Sequence, residues 1–454
     1  MTSSPANDGS RRTFLRNSLG SCPGLATGTL LTKFLPGASS NAEIVDQNHA
    51  PGGRMDSALS NVALCRLHAV MARYVERGEV PGLVTLVNRD SETNVSALGT
   101  KSAGAGAQAV RRDTIFRIAS MTKPITAAAT MILVEESKVH LDEPVDRLLP
   151  ELANRKVLKR VDGPLDSTTP ARRPITVRDL LTFRLGLGFL PMSPDTHPIV
   201  RAMYDQQVGV TPFPAQMPHP PDEWMRRLGT LPLMYHPGES WLYHTGSDVL
   251  GVLIARASGQ ALETFFRECI FDLLGMKDTG FSVTASKLDR FASCHSLNPQ
   301  TKKLDLTDPP DGQWSHSPIF PSGAGGLVST VDDYLAFARM MLNKGRFGPK
   351  RLLAANSIEM MTANHLTPEQ QQMGRVILGD NTGWGFGVSV LTKSDDLAKR
   401  SGRYGWNGGL GSSWWNDPNQ RLIAIIMTER AFDSPDPPKV IKDFWKSAYQ
   451  MICA

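Results

Sequence analysis

Ser120 and Lys123 are the residues whose types and spacing first indicate chemistry. They lie three positions apart in the run IASMTKP, residues 118–124, so a helix places both side chains on one face. A serine hydroxyl becomes nucleophilic when a nearby base removes its proton, and a lysine amine can be that base only while it is neutral. Burial and neighbouring positive charge, including that of a helix N-terminus, lower the pKa of a lysine. About one or two Ser-x-x-Lys matches occur by chance in a chain of this length, so the motif needs further support.

Two later stretches supply this support. The first is PGESWLYHTGSDVLG, residues 237–251, which contains Tyr243, and the second is YGWNGGLG, residues 404–411. With the Ser-x-x-Lys run they resemble, in order, the three motifs of the serine beta-lactamase and penicillin-binding protein superfamily. The likeness is greatest to class C beta-lactamases and the related family VIII carboxylesterases. It extends over nearly everything after the N-terminal leader and includes RPITVRDLLTF, residues 173–183.

The resemblance implies a fold and a set of catalytic roles. The fold is of the α+β class and beta-lactamase/transpeptidase-like, with an antiparallel sheet flanked by helices plus an inserted, mainly helical region. Ser120 would be the nucleophile and Lys123 its base. Tyr243 would be a phenol whose pKa the neighbouring ammonium lowers, so that it shuttles a proton to the leaving group. The backbone N–H groups of Ser120 and Gly409 would form the oxyanion hole.

The substrate-binding residues implied by the same motifs are Trp406, Asn407, Gly408 and Thr245. Thr245 stands where class C enzymes have asparagine, and Trp406 stands where many relatives carry the basic residue of Lys-Thr-Gly or His-Thr-Gly. Without that cation a substrate carboxylate is held less firmly, whereas the indole offers an apolar wall. Arg403 is a nearby cation that could replace the missing charge.

These residues also have structural interpretations. Considered alone, Tyr243 fits a core tyrosine better than a catalytic one, His244 is interpreted as its structural neighbour, and residues 408–411 fit a glycine-rich turn. The presence of Ser120, Lys123 and Tyr243 together favours catalysis. We therefore predict a serine hydrolase that acts through an acyl-enzyme, with a carboxylesterase acting on small uncharged esters preferred. A beta-lactamase or D-amino-acid peptidase is the enzymatic alternative, and a non-catalytic binding module on the same fold is the alternative of another class.

Composition and missing motifs exclude several other classes. The ten histidines form no His-Glu-x-x-His or other ligand cluster, and no Gly-x-Ser-x-Gly elbow or glycine-rich nucleotide loop occurs. We therefore expect no metal and no cofactor. Four basic residues and one acidic residue among the first 42 account for much of the net charge of +5, and no basic block remains to bind nucleic acid. The expected partner is a small-molecule ester or amide. Five cysteines without a Cys-x-x-Cys pair leave disulfide pairing open.

Residues 1–42 resemble an export signal. Arg11 and Arg12 form a twin-arginine run, and a mildly apolar stretch follows from Leu19 to Leu31. Glycines and a proline make this stretch too weak and too short for a stable membrane anchor. We predict export to the periplasm or the medium, with a disordered basic tail as the alternative. Residues 43–454 would be the hydrolase domain, with a sheet subdomain at about 57–119 and 380–454 and a helical region at about 120–379.

Hydrophobic periodicity predicts where the elements lie. The N- and C-terminal strands are expected to join in one sheet flanked by the terminal helices. Eight prolines predict a largely irregular loop over residues 189–222, and three glycines predict a flexible segment at residues 322–326. The predicted helices begin near residues 59, 120, 177, 248, 262, 331 and 439. The predicted strands are 83–87, 95–98, 385–390, 403–406, 412–416 and 422–428.

Overall fold

The computed structural model describes residues 61–189, 191–209 and 217–451. The predicted leader lies outside these residues, so its export function stays a prediction. Cys65, Cys269 and Cys294 are free cysteines, whereas Cys22 and Cys453 are outside the described residues. Among the described helices, none combines the length and the apolar character that a bilayer span requires.

Twelve α-helices and fifteen β-strands form within the described residues. The helices are α1 (Asn61–Glu76), α2 (Thr122–Glu135), α3 (Val177–Leu181), α4 (Pro198–Asp205), α5 (Pro221–Thr230), α6 (Thr245–Ser258), α7 (Leu262–Phe266), α8 (Asp272–Leu274), α9 (Val331–Leu342), α10 (Ala355–Met361), α11 (Pro368–Leu378) and α12 (Lys439–Gln450). The strands are β1 (Gly82–Arg89), β2 (Glu92–Gly99), β3 (Phe116–Arg117), β4 (Lys156–Leu158), β5 (Thr168–Pro170), β6 (Cys294–Leu297), β7 (Leu304–Asp308), β8 (Val328–Ser329), β9 (Arg346–Phe347), β10 (Lys350–Arg351), β11 (Thr382–Trp384), β12 (Ser389–Leu391), β13 (Tyr404–Gly408), β14 (Ser412–Asp417) and β15 (Leu422–Thr428).

A seven-stranded antiparallel sheet joins the two ends of the described chain. Its order is β11-β12-β13-β14-β15-β1-β2, and β1 pairs with β15 from Leu83 opposite Thr428 to Arg89 opposite Leu422. The expected union of N- and C-terminal strands in one sheet is therefore observed. Helices α2 to α11 are formed by the residues between β2 and β11, which gives the expected helical insertion.

Strand β15, inside the sheet, is buried on both faces. All seven of its residues, LIAIIMT, are buried, and alternate side chains of a strand point to opposite faces. Ala424 and Ile426 pack with the terminal helices α1 and α12, whereas Ile423 and Ile425 pack with the helical region. The terminal helices are tied together where Tyr74 donates a hydrogen bond to Asp443 Oδ2 at 2.6 Å.

Helix α2 is the centre of the helical region. A 3₁₀ turn at Ala119–Met121 precedes it, and the α-helix begins at Thr122. Pro124 lies in the first turn, where a missing N–H costs no helical hydrogen bond. Twelve of the fourteen residues of α2 are buried, so the helix is held by packing on all sides, and the predicted helix start near Ser120 is close to the observed one.

The proline-rich stretch 189–222 is largely irregular where the structure describes it, as predicted. It also contains α4, because Pro198 occupies the first helical position, which suits proline, and Ile199 and Met203 bury one face of the helix. Two other local predictions are wrong. Residues 385–388 form a turn between β11 and β12 instead of a strand, because Gly387 has a φ of 71°. The predicted flexible segment 322–326 is packed, and Ala324 in its centre is fully buried.

Candidate active site

Ser120 and Lys123 are brought together as their spacing predicts. Lys123 Nζ lies 3.0 Å from Ser120 Oγ, since the 3₁₀ turn and the first turn of α2 place both on one side. Ala119, directly before the serine, has a φ of 42°, which is unusual for a residue other than glycine. Strand β13 approaches this turn so closely that a Cβ on Gly408 would lie 2.2 Å from the Ile118 carbonyl oxygen. A glycine is therefore required at that point of the strand.

Lys123 is a fully buried amine with three polar neighbours. Besides Ser120 Oγ, its Nζ contacts the Ala324 carbonyl oxygen at 2.6 Å and His244 Nδ1 at 3.3 Å. Burial lowers the pKa of Lys123 to about 7, and the charge of Asp248 opposes this shift. A substantial fraction of Lys123 is thus uncharged near neutral pH, which the role of base requires. The lowering expected from burial is confirmed, whereas no neighbouring positive charge contributes to it.

Tyr243 adjoins both residues. Its ring centre lies 4.5 Å from Lys123 Nζ, and its hydroxyl hydrogen-bonds with Ser120 and accepts the Trp406 indole N–H at 2.6 Å. Burial raises the pKa of Tyr243 well above its ordinary value, and these two hydrogen bonds oppose the shift only in part. The expected lowering of this pKa is wrong, because burial of the phenol outweighs the hydrogen bonds that favour the phenolate. Tyr243 therefore stays a phenol.

An aromatic cluster fixes the position of Tyr243. Phe183 packs edge-on against its ring with centroids 5.7 Å apart, and Trp384 packs edge-on against Trp406 at 4.9 Å. Trp241 completes the same buried cluster. The Trp406 ring thus forms an apolar wall of the site, as predicted from the sequence, but its indole N–H already donates a hydrogen bond to the Tyr243 hydroxyl.

His244 contacts Lys123 directly. The interpretation of His244 from the sequence, as a structural neighbour of Tyr243, does not include this contact. The backbone of His244 is in a sparsely populated conformation, with φ 80° and ψ −66°. The residues on either side of it are joined by a hydrogen bond from the Thr245 N–H to the Tyr243 carbonyl at 3.1 Å. This is a γ-turn of the strained type. His244 Nε2 lies 3.3 Å from Asp248 Oδ2. The spacing of four residues between His244 and Asp248 at a helix start is the signal that could have revealed this pair.

Asp248 and Ala324 are two further site residues that the sequence did not reveal. Asp248 Oδ1 accepts hydrogen bonds from Ser322 Oγ at 2.6 Å and from the Ala324 N–H at 3.1 Å. The contact of Ala324 with Lys123 is made by a backbone carbonyl, so no residue type signals it.

Gly409 and Ser120 line the same cavity. The preceding peptide is fixed, because the Gly411 N–H donates to the Gly408 carbonyl at 3.0 Å. The carbonyl and N–H of a trans peptide point in opposite directions, so the Gly409 N–H points away from this turn. Strand β12 pairs with β13 only at Tyr404 and Gly405, which leaves the outer edge of residues 406–408 free of this neighbour.

The cavity above Ser120 has a volume of about 750 Å³. Trp406 and Asn407 line it, whereas Gly408 and Thr245 are not among its lining residues and Thr245 is buried at the start of α6. The Asn407 side-chain oxygen accepts hydrogen bonds from Ser413 Oγ at 2.6 Å and from the Trp415 indole at 3.3 Å. The apolar part of the lining includes Phe189, Tyr204, Val376, Ile377, Leu378, Phe432, Pro435 and Pro437.

The charged side chains around this cavity are paired. Arg403, the candidate replacement cation, contacts Asp395 at 2.5 Å and is only 7% exposed, with the Trp415 ring 5.2 Å from its guanidinium. The other lining pairs are Arg375 with Asp380, Asp433 with Arg430 and Asp436 with Lys442. Arg403 is therefore buried against Asp395, while its Nε and Nη1 have no hydrogen-bond partner in the described structure. Within the part of the chain that the structure describes, no cluster of three potential metal ligands occurs.

Comparison with known proteins places this geometry in a family. The beta-lactamase family profile matches residues 67–442. Protein Rv1367c of Mycobacterium tuberculosis is 36% identical over 376 residues, which cover 80% of this chain and 90% of that protein. Esterase EstB of Burkholderia gladioli is 30% identical over 398 residues, covering 83% and 93%. The structure of EstCE1, a hydrolase with promiscuous acyltransferase activity, superposes with a TM-score of 0.72 at 23% identity, covering 85% of this chain and 98% of the other.

These similarities confirm both the resemblance found in the sequence and the beta-lactamase-like fold expected from it. The matched region contains all three motifs, from the Ser120 turn to β13. The chain belongs to the beta-lactamase family.

Proposed function

We propose that this protein is a serine hydrolase that acts through an acyl-enzyme and that small uncharged esters are its preferred substrates. The observation that carries the proposal is the contact of Ser120 Oγ with a buried amine 3.0 Å away, whose pKa is lowered to about 7. A lysine in this state can accept the serine proton at neutral pH. The match to the beta-lactamase family supports the same chemistry.

The proposed reaction has two half-reactions. Ser120 Oγ attacks the ester carbonyl while its proton moves to Lys123, and the N–H groups of Ser120 and Gly409 hold the oxyanion. The bond to the alcohol then breaks, and Tyr243, a phenol hydrogen-bonded with Ser120, relays the proton from Lys123 to the departing alkoxide. Water next attacks the acyl-enzyme by the reverse proton path and releases the acid.

The lining of the cavity supports uncharged substrates. Arg403 is buried against Asp395, Arg375 lies in a solvent-exposed pair with Asp380, and Trp406 occupies the position of the basic residue that relatives use. A hydrogen bond to a charged group contributes about 1.5–3 kcal/mol, so a substrate carboxylate forgoes that stabilisation here. An apolar acyl group instead gains contact with the aromatic wall.

A second candidate is acyl transfer to an alcohol other than water. The cavity volume of about 750 Å³ lies in the upper part of the range for ligand pockets and leaves room for an alcohol beside a short acyl group. Addition of increasing butanol to a p-nitrophenyl butyrate assay tests this. Butyl butyrate as the main product would favour transfer, and butyric acid alone would favour hydrolysis.

Covalent labelling tests the nucleophile. A fluorophosphonate ester should label Ser120 and stop ester turnover, and Ser120→Ala should abolish both. The exposed Ser286 on a surface turn provides the matched control, and Ser286→Ala should label and turn over normally. A label mapped by peptide mass spectrometry to another residue, or turnover by Ser120→Ala, would refute the mechanism.

We also propose that the protein is exported by the twin-arginine route, on the sequence of residues 1–42 alone. The double substitution Arg11→Lys with Arg12→Lys should retain the precursor inside the cell, whereas Arg16→Lys in the same segment should not. Immunoblots of fractionated cells measure this. Normal export of the double variant would contradict the proposal.

A further inference from the structure

The direction of the Lys123 lone pair is the feature that leads to a further inference. A neutral lysine amine has two N–H bonds and one lone pair. The Ala324 carbonyl oxygen, 2.6 Å from Nζ, can only accept a hydrogen bond. Ser120 Oγ must give up its proton, so the lone pair has to face it. The second N–H is then left for His244 Nδ1 at 3.3 Å, and this contact is favourable only if Nδ1 is an acceptor.

Asp248 makes His244 Nδ1 an acceptor. Its Oδ2 lies 3.3 Å from His244 Nε2, and an ionised carboxylate can only accept. The imidazole proton therefore belongs on Nε2, which leaves the lone pair on Nδ1. The other oxygen of Asp248 accepts the Ala324 N–H at 3.1 Å. One buried carboxylate thus holds both groups that receive the N–H bonds of Lys123.

The backbone of His244 is strained in a way that serves this contact. The γ-turn at φ 80° and ψ −66° is a conformation that persists only where the surrounding structure imposes it, and such residues cluster at functional sites. The two flanking residues are fixed as well: Tyr243 by its aromatic cluster and Thr245 by the start of α6. The turn allows adjacent residues, Tyr243 and His244, to contact the same lysine.

We propose that His244, oriented by Asp248, is a positioning residue that directs the lone pair of Lys123 onto Ser120 Oγ. The proposal rests on the proposed function of Lys123 as the base. In this proposal, His244 Nδ1 is the second hydrogen-bond acceptor of the Lys123 amine, after the Ala324 carbonyl. The residue that follows it is Thr245, where class C enzymes have asparagine.

The pH dependence of the reaction distinguishes this role from simple packing. The ionisable groups facing His244 are Lys123 from α2, Asp248 from α6 and the adjoining Tyr243. Arg375, Asp433 and Asp436 line the same cavity, each in an ion pair. Protonation of Nδ1 removes the acceptor and places a second cation beside Lys123. Activity therefore requires two deprotonated groups, and log kcat/KM should fall with a limiting slope of two as the pH is lowered.

Two substitutions separate the acceptor from the bulk of the side chain. His244→Asn places an amide oxygen near the position of Nδ1, and asparagine tolerates positive φ better than most residues. His244→Leu keeps a similar volume without an acceptor. His365→Leu is the control, because His365 stacks on Phe386 at 4.4 Å and does not line the cavity.

Kinetics with p-nitrophenyl butyrate and the rate of fluorophosphonate labelling are the measurements, over pH 4.5 to 9, with thermal melting alongside. We expect His244→Leu to lower kcat/KM and the labelling rate about ten- to a hundred-fold through kcat. His244→Asn should stay within a few-fold of the wild type, and its limiting slope should fall from two to one. His365→Leu should keep the slope of two.

Equal losses in the Asn and Leu variants at equal melting temperatures would overturn the proposal, as would a slope that is the same in the wild type and the Asn variant. If His244→Leu does not fold, the proposal is tested by the limiting slope of log kcat/KM against pH in the Asn variant alone. Failure of the underlying function is distinct from this, because it would show as labelling away from Ser120 or turnover by Ser120→Ala.

Discussion

Two buried basic residues, Lys123 and Arg117, lie close together in the sequence but differ in how their charge is compensated. Their exposed fractions are 0% and 3%. Arg117 donates to Asp308 through Nε at 2.8 Å and to the Pro309 carbonyl at 3.0 Å. The Phe291 ring lies 4.1 Å from its guanidinium. Lys123 has no such partner among its contacts, since Ser120, Ala324 and His244 all meet it with neutral atoms.

The position of the carboxylate accounts for the difference. Asp308 touches Arg117 directly, so the charge buried there is compensated, and a guanidinium in a protein stays protonated in any case. Asp248 is separated from Lys123 by the ring of His244. Burial of an ammonium without direct compensation favours the neutral amine. Arg117 is therefore held as a cation beside Asp308, whereas Lys123 is left free to exchange a proton.

The most severe way to break this contrast is to make Lys123 permanently charged. Lys123→Arg keeps a cation but removes the base, so kcat/KM for p-nitrophenyl butyrate should fall about a thousand-fold or more. Lys123→Met, an uncharged side chain of similar length, should lose as much. Steady-state kinetics on protein with a cooperative melting transition check this. Activity of the Arg variant within ten-fold of the wild type would remove Lys123 from the mechanism.

Breaking the structural pair should instead affect stability. Asp308→Asn leaves Arg117 buried without compensation, which costs about 3–5 kcal/mol, while kcat/KM of the folded enzyme should change less than about two-fold. Urea unfolding at pH 7 measures the difference. Asp332→Asn is the control, because its pair with Arg112 is 42% and 58% exposed and should change stability by under about 1 kcal/mol. Equal effects in the two variants would contradict the distinction between buried and exposed pairs.

A carboxylate placed directly against Lys123 should make it resemble Arg117. His244→Asp would stabilise the ammonium and raise its pKa from about 7 towards the ordinary lysine value of about 10.4. A lysine is protonated below its pKa and the reaction needs the amine, so activity is lost as the pH falls through that pKa. The acid limb of kcat/KM should therefore move up by one to two units, with about ten- to a hundred-fold less activity at pH 7. His244→Asn, of the same size without the charge, should show no such upward movement. If the acid limb of kcat/KM stayed near pH 7 in His244→Asp, a carboxylate beside Lys123 would not control its pKa.

The same contrast explains what the sequence could reveal. Ser120 and Lys123 are predictable because their contact is local to one helix start, and β15 is predictable because its apolar run is continuous. The packing of Ala324 against Lys123 is not, because it depends on a backbone carbonyl 201 residues away. The raised pKa of Tyr243 is not predictable for a related reason: burial outweighs its hydrogen bonds, and burial is a property of the assembled fold.

The helices missed in the sequence have a similar cause. Prolines such as Pro198 and Pro221 are typical of loops, but each occupies the first position of a helix, α4 or α5, where proline is favoured. Their surroundings decide between the two outcomes, since Ile199 in α4 and Trp224 in α5 find apolar partners in the core.

The choice of substrate is expected to depend on the charges that the cavity offers. A beta-lactam carries a carboxylate, whereas Trp406 brings no charge and Arg403 is buried against Asp395. The missing charged hydrogen bond, about 1.5–3 kcal/mol, corresponds to roughly a ten- to hundred-fold loss. An uncharged ester loses nothing at Trp406. We expect kcat/KM for p-nitrophenyl butyrate to exceed that for nitrocefin, although nitrocefin is the more strained acyl donor.

Removing the aspartate partner of Arg403 should reduce the preference for the ester over nitrocefin. Asp395→Asn removes the carboxylate that contacts Arg403 at 2.5 Å, so kcat/KM for nitrocefin should rise several-fold through KM while that for the butyrate ester stays constant. Asp162→Asn is the control, because Asp162 pairs with Arg160 at an exposed position and neither lines the cavity. A parallel rise for both substrates would mean that the cavity had loosened and not that it had gained a charge. Efficient nitrocefin hydrolysis by the wild type with negligible ester turnover would replace the esterase proposal with the beta-lactamase alternative.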